Sequence, residues 1–174
     1  MKYASISPSR VVYIGIFDFD KLYQGLRQWF VDGDYDMIEN VWKTKIPNPS
    51  GSDDRLRWYA EKKITGMAKF VISVYWHLYD RKEVEVIRDG KKKKLTKARI
   101  LLEFTGKLEI DYSKKWGGSK MKDALEDYFF RYIWRKKWDN NYSDELYYTV
   151  YKVYSRAREL LGMEAQYYRS KDRY

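Results

Sequence analysis

The residues whose types and spacing come closest to chemistry in this chain are basic. Arg88, Lys91, Lys92, Lys93, Lys94 and Lys97 fall in one short stretch, and from Arg81 to Arg99 nine basic residues stand against three acidic ones. A second group, Arg131, Arg135, Lys136 and Lys137, interleaves with Tyr132, Trp134 and Trp138. Lysines carried on a hairpin reach phosphates as point charges, and arginines beside aromatic rings offer the stacking surfaces that single-stranded nucleic acid uses. The candidate nucleic-acid or anion-binding residues are therefore Arg88, Lys91 to Lys94, Lys97, Arg131, Arg135, Lys136 and Lys137, with Trp134 and Trp138 as aromatic contacts. A competing explanation is that strand lysines block edge-to-edge pairing and helix aromatics fill a core. No RNP, KH, zinc-finger or helix-turn-helix pattern accompanies the clusters.

Other chemistry has fewer supports. With no cysteine there are no disulfides, thiolate ligands or cysteine nucleophiles. His77 is the one histidine, on a strand face shared with Ser73, Tyr75 and Tyr79, so a His/Cys zinc site is excluded and a Ser-His-Asp triad would have to be built on it alone. Glu83/Glu85 and Glu109/Asp111 lie two apart among lysines, a spacing for cross-strand ion pairs on a solvated face. No Gly-rich loop leads from a strand into a helix, so a phosphate-cradling motif is absent. No cofactor and no metal are expected.

Ile14-Gly15-Ile16-Phe17-Asp18-Phe19-Asp20 is an apolar strand ending in Asp-x-Asp. It resembles the opening of haloacid-dehalogenase-type phosphatases, and the resemblance implies a magnesium-assisted enzyme with Asp18 as nucleophile and Asp20 as acid/base. It covers seven residues. Lys21-Leu22 replace the usual Gly-Thr, and the chain lacks the strand-helix repeat of a parallel sheet. The alternative is structural: Asp18 caps a helix and Asp20 complements its dipole.

The elements that must position these residues are read from periodicity. From Lys97 to Tyr112 nearly every even position is apolar or Gly and nearly every odd one polar, the pattern of a long half-buried strand. Phe70, Ile72, Val74, Trp76 and Leu78 repeat it, and Asp89-Gly90 marks a tight hairpin between the two. Residues 11–17 read as a buried strand, 35–46 as another and Leu56 to Ile64 as a third, with residues 47–54 a loop because of Pro47, Pro49 and Gly51. Phe19, Leu22, Tyr23, Leu26, Trp29 and Phe30 recur three and four apart, a helix stopped by Gly33. Two further helices are expected after Gly118: one begins at Ser119, with Met121, Ala124, Leu125, Tyr128 and Tyr132 facing the sheet. The other begins at Ser143, with Leu146, Val150, Val153, Ala157, Leu160 and Leu161 buried and Gly162 closing it.

The expected architecture is α+β: one antiparallel sheet of about five to six strands, one helix after strand 1 and two C-terminal helices packed on one face. Residues 1–10 are read as a flexible arm, 11–162 as a single domain and 163–174 as a polar tail. The charge of +10 favours polyanionic partners. No apolar run is long enough to span a bilayer and no secretory signal opens the chain, so a cytoplasmic protein, or part of an intracellularly assembled particle, is expected. Abundant Lys, Glu and Tyr with no Cys lean towards a thermophilic composition. The favoured function is a non-enzymatic interaction or structural subunit of a larger assembly, nucleoprotein or viral, with protein partners or self-assembly. The alternatives are a ligand-binding helix-grip module, with a cavity between sheet and helix, and the phosphatase-like enzyme.

Overall fold

Among the described residues the period-two stretches pair into a six-stranded antiparallel sheet. Its geometry comes from a computed structural model that describes residues 2–48, 51–88, 91–110, 128, 131–132 and 142–163. In chain order the elements are β1 (Lys2–Ser5), β2 (Ser9–Phe17), α1 (Phe19–Asp32), β3 (Asp36–Asn48), β4 (Gly51–Lys63), β5 (Ala68–Arg88), β6 (Lys91–Ile110) and α2 (Ser143–Leu160). Strands β3 to β6 form a meander, and β1 and β2 follow one another along the other side of β6. The fold is α+β with an antiparallel sheet.

Because side chains alternate across a strand, one register fixes the content of both faces. The even positions of β4 and β6, with those of β5 up to Leu78, form one face, and Leu56, Trp58, Phe70, Ile72, Trp76, Ile100, Leu102 and Phe104 on it are buried. Helix α1 lies over β4 and β5, where the Phe19 and Tyr23 rings meet Trp76 and Trp58. It starts where Asp18 caps it by accepting from the Lys21 amide at 3.0 Å. It ends at Gly33, whose N–H bonds back to Trp29 and Phe30. Phe19, Leu22, Leu26 and Phe30 are its buried stripe, each worth roughly 1.5–3 kcal/mol of transfer free energy. Helix α2 buries Leu146, Val150, Val153 and Ala157 over β6. It meets α1 where Leu160 sits on Gly25.

Several expectations need correction. Residues 2–5 are not part of a loose arm: Lys2 to Ser5 register with Ile110 to Lys107, so α1 follows the second strand of the chain. The arm reading missed this because four residues at a sheet edge carry little periodicity. The expected loop at 47–54 shrinks, since Asn48 registers with Gly51 and Ser52, Asp53 and Asp54 belong to β4. Gly51 makes this possible at φ 135, where a Cβ would lie 2.6 Å from the Asp80 carbonyl carbon. The helix expected from Ser119, and the end of the long strand at Asp111-Tyr112, lie outside the described residues apart from 128, 131 and 132. Of these, Tyr128 and Tyr132 were expected to face the sheet. They are 60% and 62% exposed, and their rings meet each other at 4.9 Å. Helix α2 does begin at Ser143 as expected, with Tyr142 in the cap position.

Candidate nucleic-acid interface

The basic hairpin is a projecting ribbon. Arg88 registers with Lys91, so two residues separate β5 from β6 as the Asp-Gly signal requires. Strand β4 leaves β5 at Arg81 and β2 leaves β6 at Thr96, so the pairs from Glu83/Thr96 to Arg88/Lys91 form a two-stranded arm about 20 Å long. Lys92 and Lys94 are exposed on it, and Lys97 is exposed just below it on the opposite face of β6. At its base Lys82 stands directly opposite Lys97. Neither of these lysines is paired with a carboxylate of the described residues.

Lys93 behaves differently. Its ammonium lies 2.7 Å from Asp18, tying the arm to the start of α1. That hydrogen bond, opposed by partial burial and helped by the Lys21 amide, holds the Asp18 carboxyl below its usual value. Asp18 thus spends one oxygen on the helix cap and the other on Lys93. Strand β2 runs antiparallel to β6, whereas the phosphatase resemblance implies a parallel sheet. Among the described residues no group of three or more His, Asp and Glu is placed to hold a metal ion.

In the second basic cluster Arg131 is exposed, and Arg135, Lys136, Lys137, Trp134 and Trp138 lie outside the described residues. The space between sheet and helices, where a helix-grip cavity would sit, is filled by Trp58, Trp76, Phe30, Phe70 and Phe104. No helix of the described residues is long and apolar enough to cross a membrane.

The odd positions of β4 and β6, with those of β5 up to Tyr79 and then Lys82 beyond a bulge, compose a second surface that continues from the base of the arm. On β5, Tyr75, His77 and Tyr79 stand in a column, with His77 stacked on Tyr79 at 3.6 Å between centroids. Register places an arginine opposite each: Arg57 against Tyr75, Arg55 against His77 and Arg99 against Tyr79. The Arg57 and Arg99 guanidiniums lie over the Tyr75 and Tyr79 rings at 5.3 and 5.5 Å. His77 is buried and bonded to Asp53 at 2.7 Å. Burial pushes the Asp53 carboxyl up, but the His77 and Arg55 contacts outweigh it and leave it lowered. Nearby, Lys69 bridges Glu61 and Glu109 at 2.7 and 3.2 Å, and these two carboxylates raise its pKa against the effect of burial.

The sequence shows Tyr75, His77 and Tyr79 on one strand face, and Arg55, Arg57 and Arg99 share the parity of the exposed positions of their own strands. What it lacks is the register that puts each arginine beside a ring. Comparison with protein-family models and with curated proteins finds no match for this chain.

Proposed function

We propose that the chain is a non-enzymatic subunit of a larger assembly that contacts nucleic acid through the β5–β6 arm and the basic surface at its base. The observation that carries this reading is the Lys82/Lys97 pair. Like charges directly opposite on neighbouring strands destabilise a sheet, and a polyanion relieves the repulsion. Lys92 and Lys94 supply further phosphate contacts on the other face of the same ribbon, and Lys93 fixes the arm to the body through Asp18. On sequence grounds the proposal extends to Arg88, Lys91, Arg131, Arg135, Lys136 and Lys137, with Trp134 and Trp138 as stacking residues. A low-salt mobility-shift titration tests it: Lys92→Gln/Lys94→Gln/Lys97→Gln should shift nucleic acid only at several-fold higher protein concentration. Identical titrations of the two proteins would overturn the assignment.

A protein contact is supported separately. Strand β2 pairs only with β6 among the described residues, and Val12, Ile14 and Ile16 are exposed along it, Ile14 to 72%. Residues 11–17 carry no charge to discourage pairing with another strand. Light scattering of the wild type and of Ile14→Lys reads this out: a fall in mass with the lysine supports a shared edge, and unchanged mass removes it.

A further inference from the structure

We infer that the odd-position face of the sheet is a stacking platform for single-stranded nucleic acid, with Tyr75 and Tyr79 as its rings and Arg57 and Arg99 as its phosphate contacts. This deepens the proposed function and rests on it.

Three features of the face lead there. The first is the aromatic column. Side chains two apart on a strand repeat about every 6.7 Å, so Tyr75 and Tyr79 set two half-buried rings along one line with His77 packed between them. A base reaches either ring as the guanidinium of Arg57 or Arg99 swings from it to a phosphate. Unpaired bases stack on such rings and on guanidinium planes, whereas bases inside a duplex are already stacked on each other. That restricts the ligand to single strands.

The second feature is the charge left over. The carboxylates of this face are largely consumed internally: Asp53 by His77 and Arg55, Glu103 by Arg10, and Glu61 and Glu109 by Lys69. Arg57, Arg99, Lys43, Lys82 and Lys97 are exposed and pair with no carboxylate of the described residues. A surface that neutralises its own acids and leaves its arginines over aromatic rings is complementary to phosphates spaced between bases.

The third feature is shape. Two hollows of about 470 and 370 Å³ adjoin on this face and share Asn40 and Tyr59, forming one trough. Arg57 and Tyr75 line one end, and Ser73, Thr105 and Lys107 line the other. Both helices lie on the opposite face, so no described element fills the trough. Lys97 and Arg99 share its face and follow one another on β6, and Lys82 stands opposite Lys97, so the base of the arm continues the platform while Lys92 and Lys94 lie on the arm's other face.

Fluorescence anisotropy with labelled single-stranded DNA, single-stranded RNA and duplex DNA of equal length tests the inference on the full chain. The single strands should bind at least tenfold tighter than the duplex, with little sequence preference, and the DNA and RNA arms identify which strand is preferred. Tyr75→Ala and Tyr79→Ala should each weaken single-strand binding about five- to hundredfold while leaving duplex binding unchanged. Tyr75→Phe, which keeps the ring, should restore it. In case the alanine variants fail to fold, ultraviolet cross-linking of wild-type protein to single-stranded DNA gives an independent readout: adducts should map to residues 55–59 and 73–79. Tighter duplex binding, or adducts confined to the arm, would overturn the platform while leaving the proposed function intact. Absence of binding to all three ligands would sink both.

Discussion

Replacing Gly106 with alanine tests the packing that leaves one sheet face to the helices and the other to solvent. An ideal Cβ at this position would lie 2.9 Å from Ile6 Cδ1, 2.9 Å from Val150 Cγ2 and 3.0 Å from Leu146 Cγ. Carbon atoms rest at about 3.5–4.0 Å, so each contact is short by roughly 0.5–1 Å. Ile6 and Val150 meet the new atom with terminal methyls that can turn. Leu146 meets it with a branch point, so α2 itself must rise from β6. Overpacking of this kind costs about 1–3 kcal/mol, partly offset by the entropy that alanine removes from the unfolded chain. A net loss of about 1–2 kcal/mol corresponds to about 2–8 °C in Tm for a chain of this size. Urea unfolding followed by circular dichroism reads the difference, with Gly66→Ala as control because nothing lies within 4 Å of a Cβ there. A Gly106→Ala variant as stable as wild type would refute the close seating of α2 on β6.

Other consequences follow from single contacts. Asp54 is buried and bonded to Arg81 at 2.9 Å, so Asp54→Ala should cost about 2–4 kcal/mol by urea unfolding, and a loss below about 1 kcal/mol would show the pair to be solvent-screened. Gly51→Ala places a Cβ against backbone at φ 135, and a drop in Tm of several degrees is expected; an unchanged Tm would mean that Gly51 does not abut the Asp80–Arg81 backbone. Asp18 and Asp53 both titrate below their usual 3.8 when folded, so each stabilises the fold fully above that value and loses its contribution as pH falls through the lower folded value. Urea midpoints from neutral pH to roughly pH 3 should therefore decline on the acid side, and Lys93→Met should make the decline shallower, because only the wild type loses the Asp18–Lys93 contact there. Equal slopes for the two proteins would show that Lys93 does not hold Asp18.

The fold was legible wherever one face of an element is greasy and the other wet. The alternation of β5 and β6, the Asp89-Gly90 hairpin signal, the α1 stripe from Phe19 to Phe30 and the α2 stripe from Leu146 to Leu161 all appear in the structure. Legibility failed at β1, where four residues owe their conformation to the β6 edge they meet. It failed again at Ser52 to Asp54, where polar residues that favour turns are held in a strand by Gly51 and by Arg81. The lysine arm was readable as composition, but the diversion of Lys93 to Asp18 was not, since it depends on how far β6 overshoots β2. The arginine-tyrosine column needed the register of three strands, which no local pattern specifies.

The central claim is that the exposed lysines of the arm bind phosphates, and the salt dependence of binding measures it most directly. Each phosphate contact on a single strand contributes about −0.7 to the slope of log K against log salt. Lys92→Gln/Lys94→Gln/Lys97→Gln removes three cations, so its slope should be shallower than wild type by about 2. Parallel lines for the two proteins, or no measurable binding by wild type at low salt, would contradict the account.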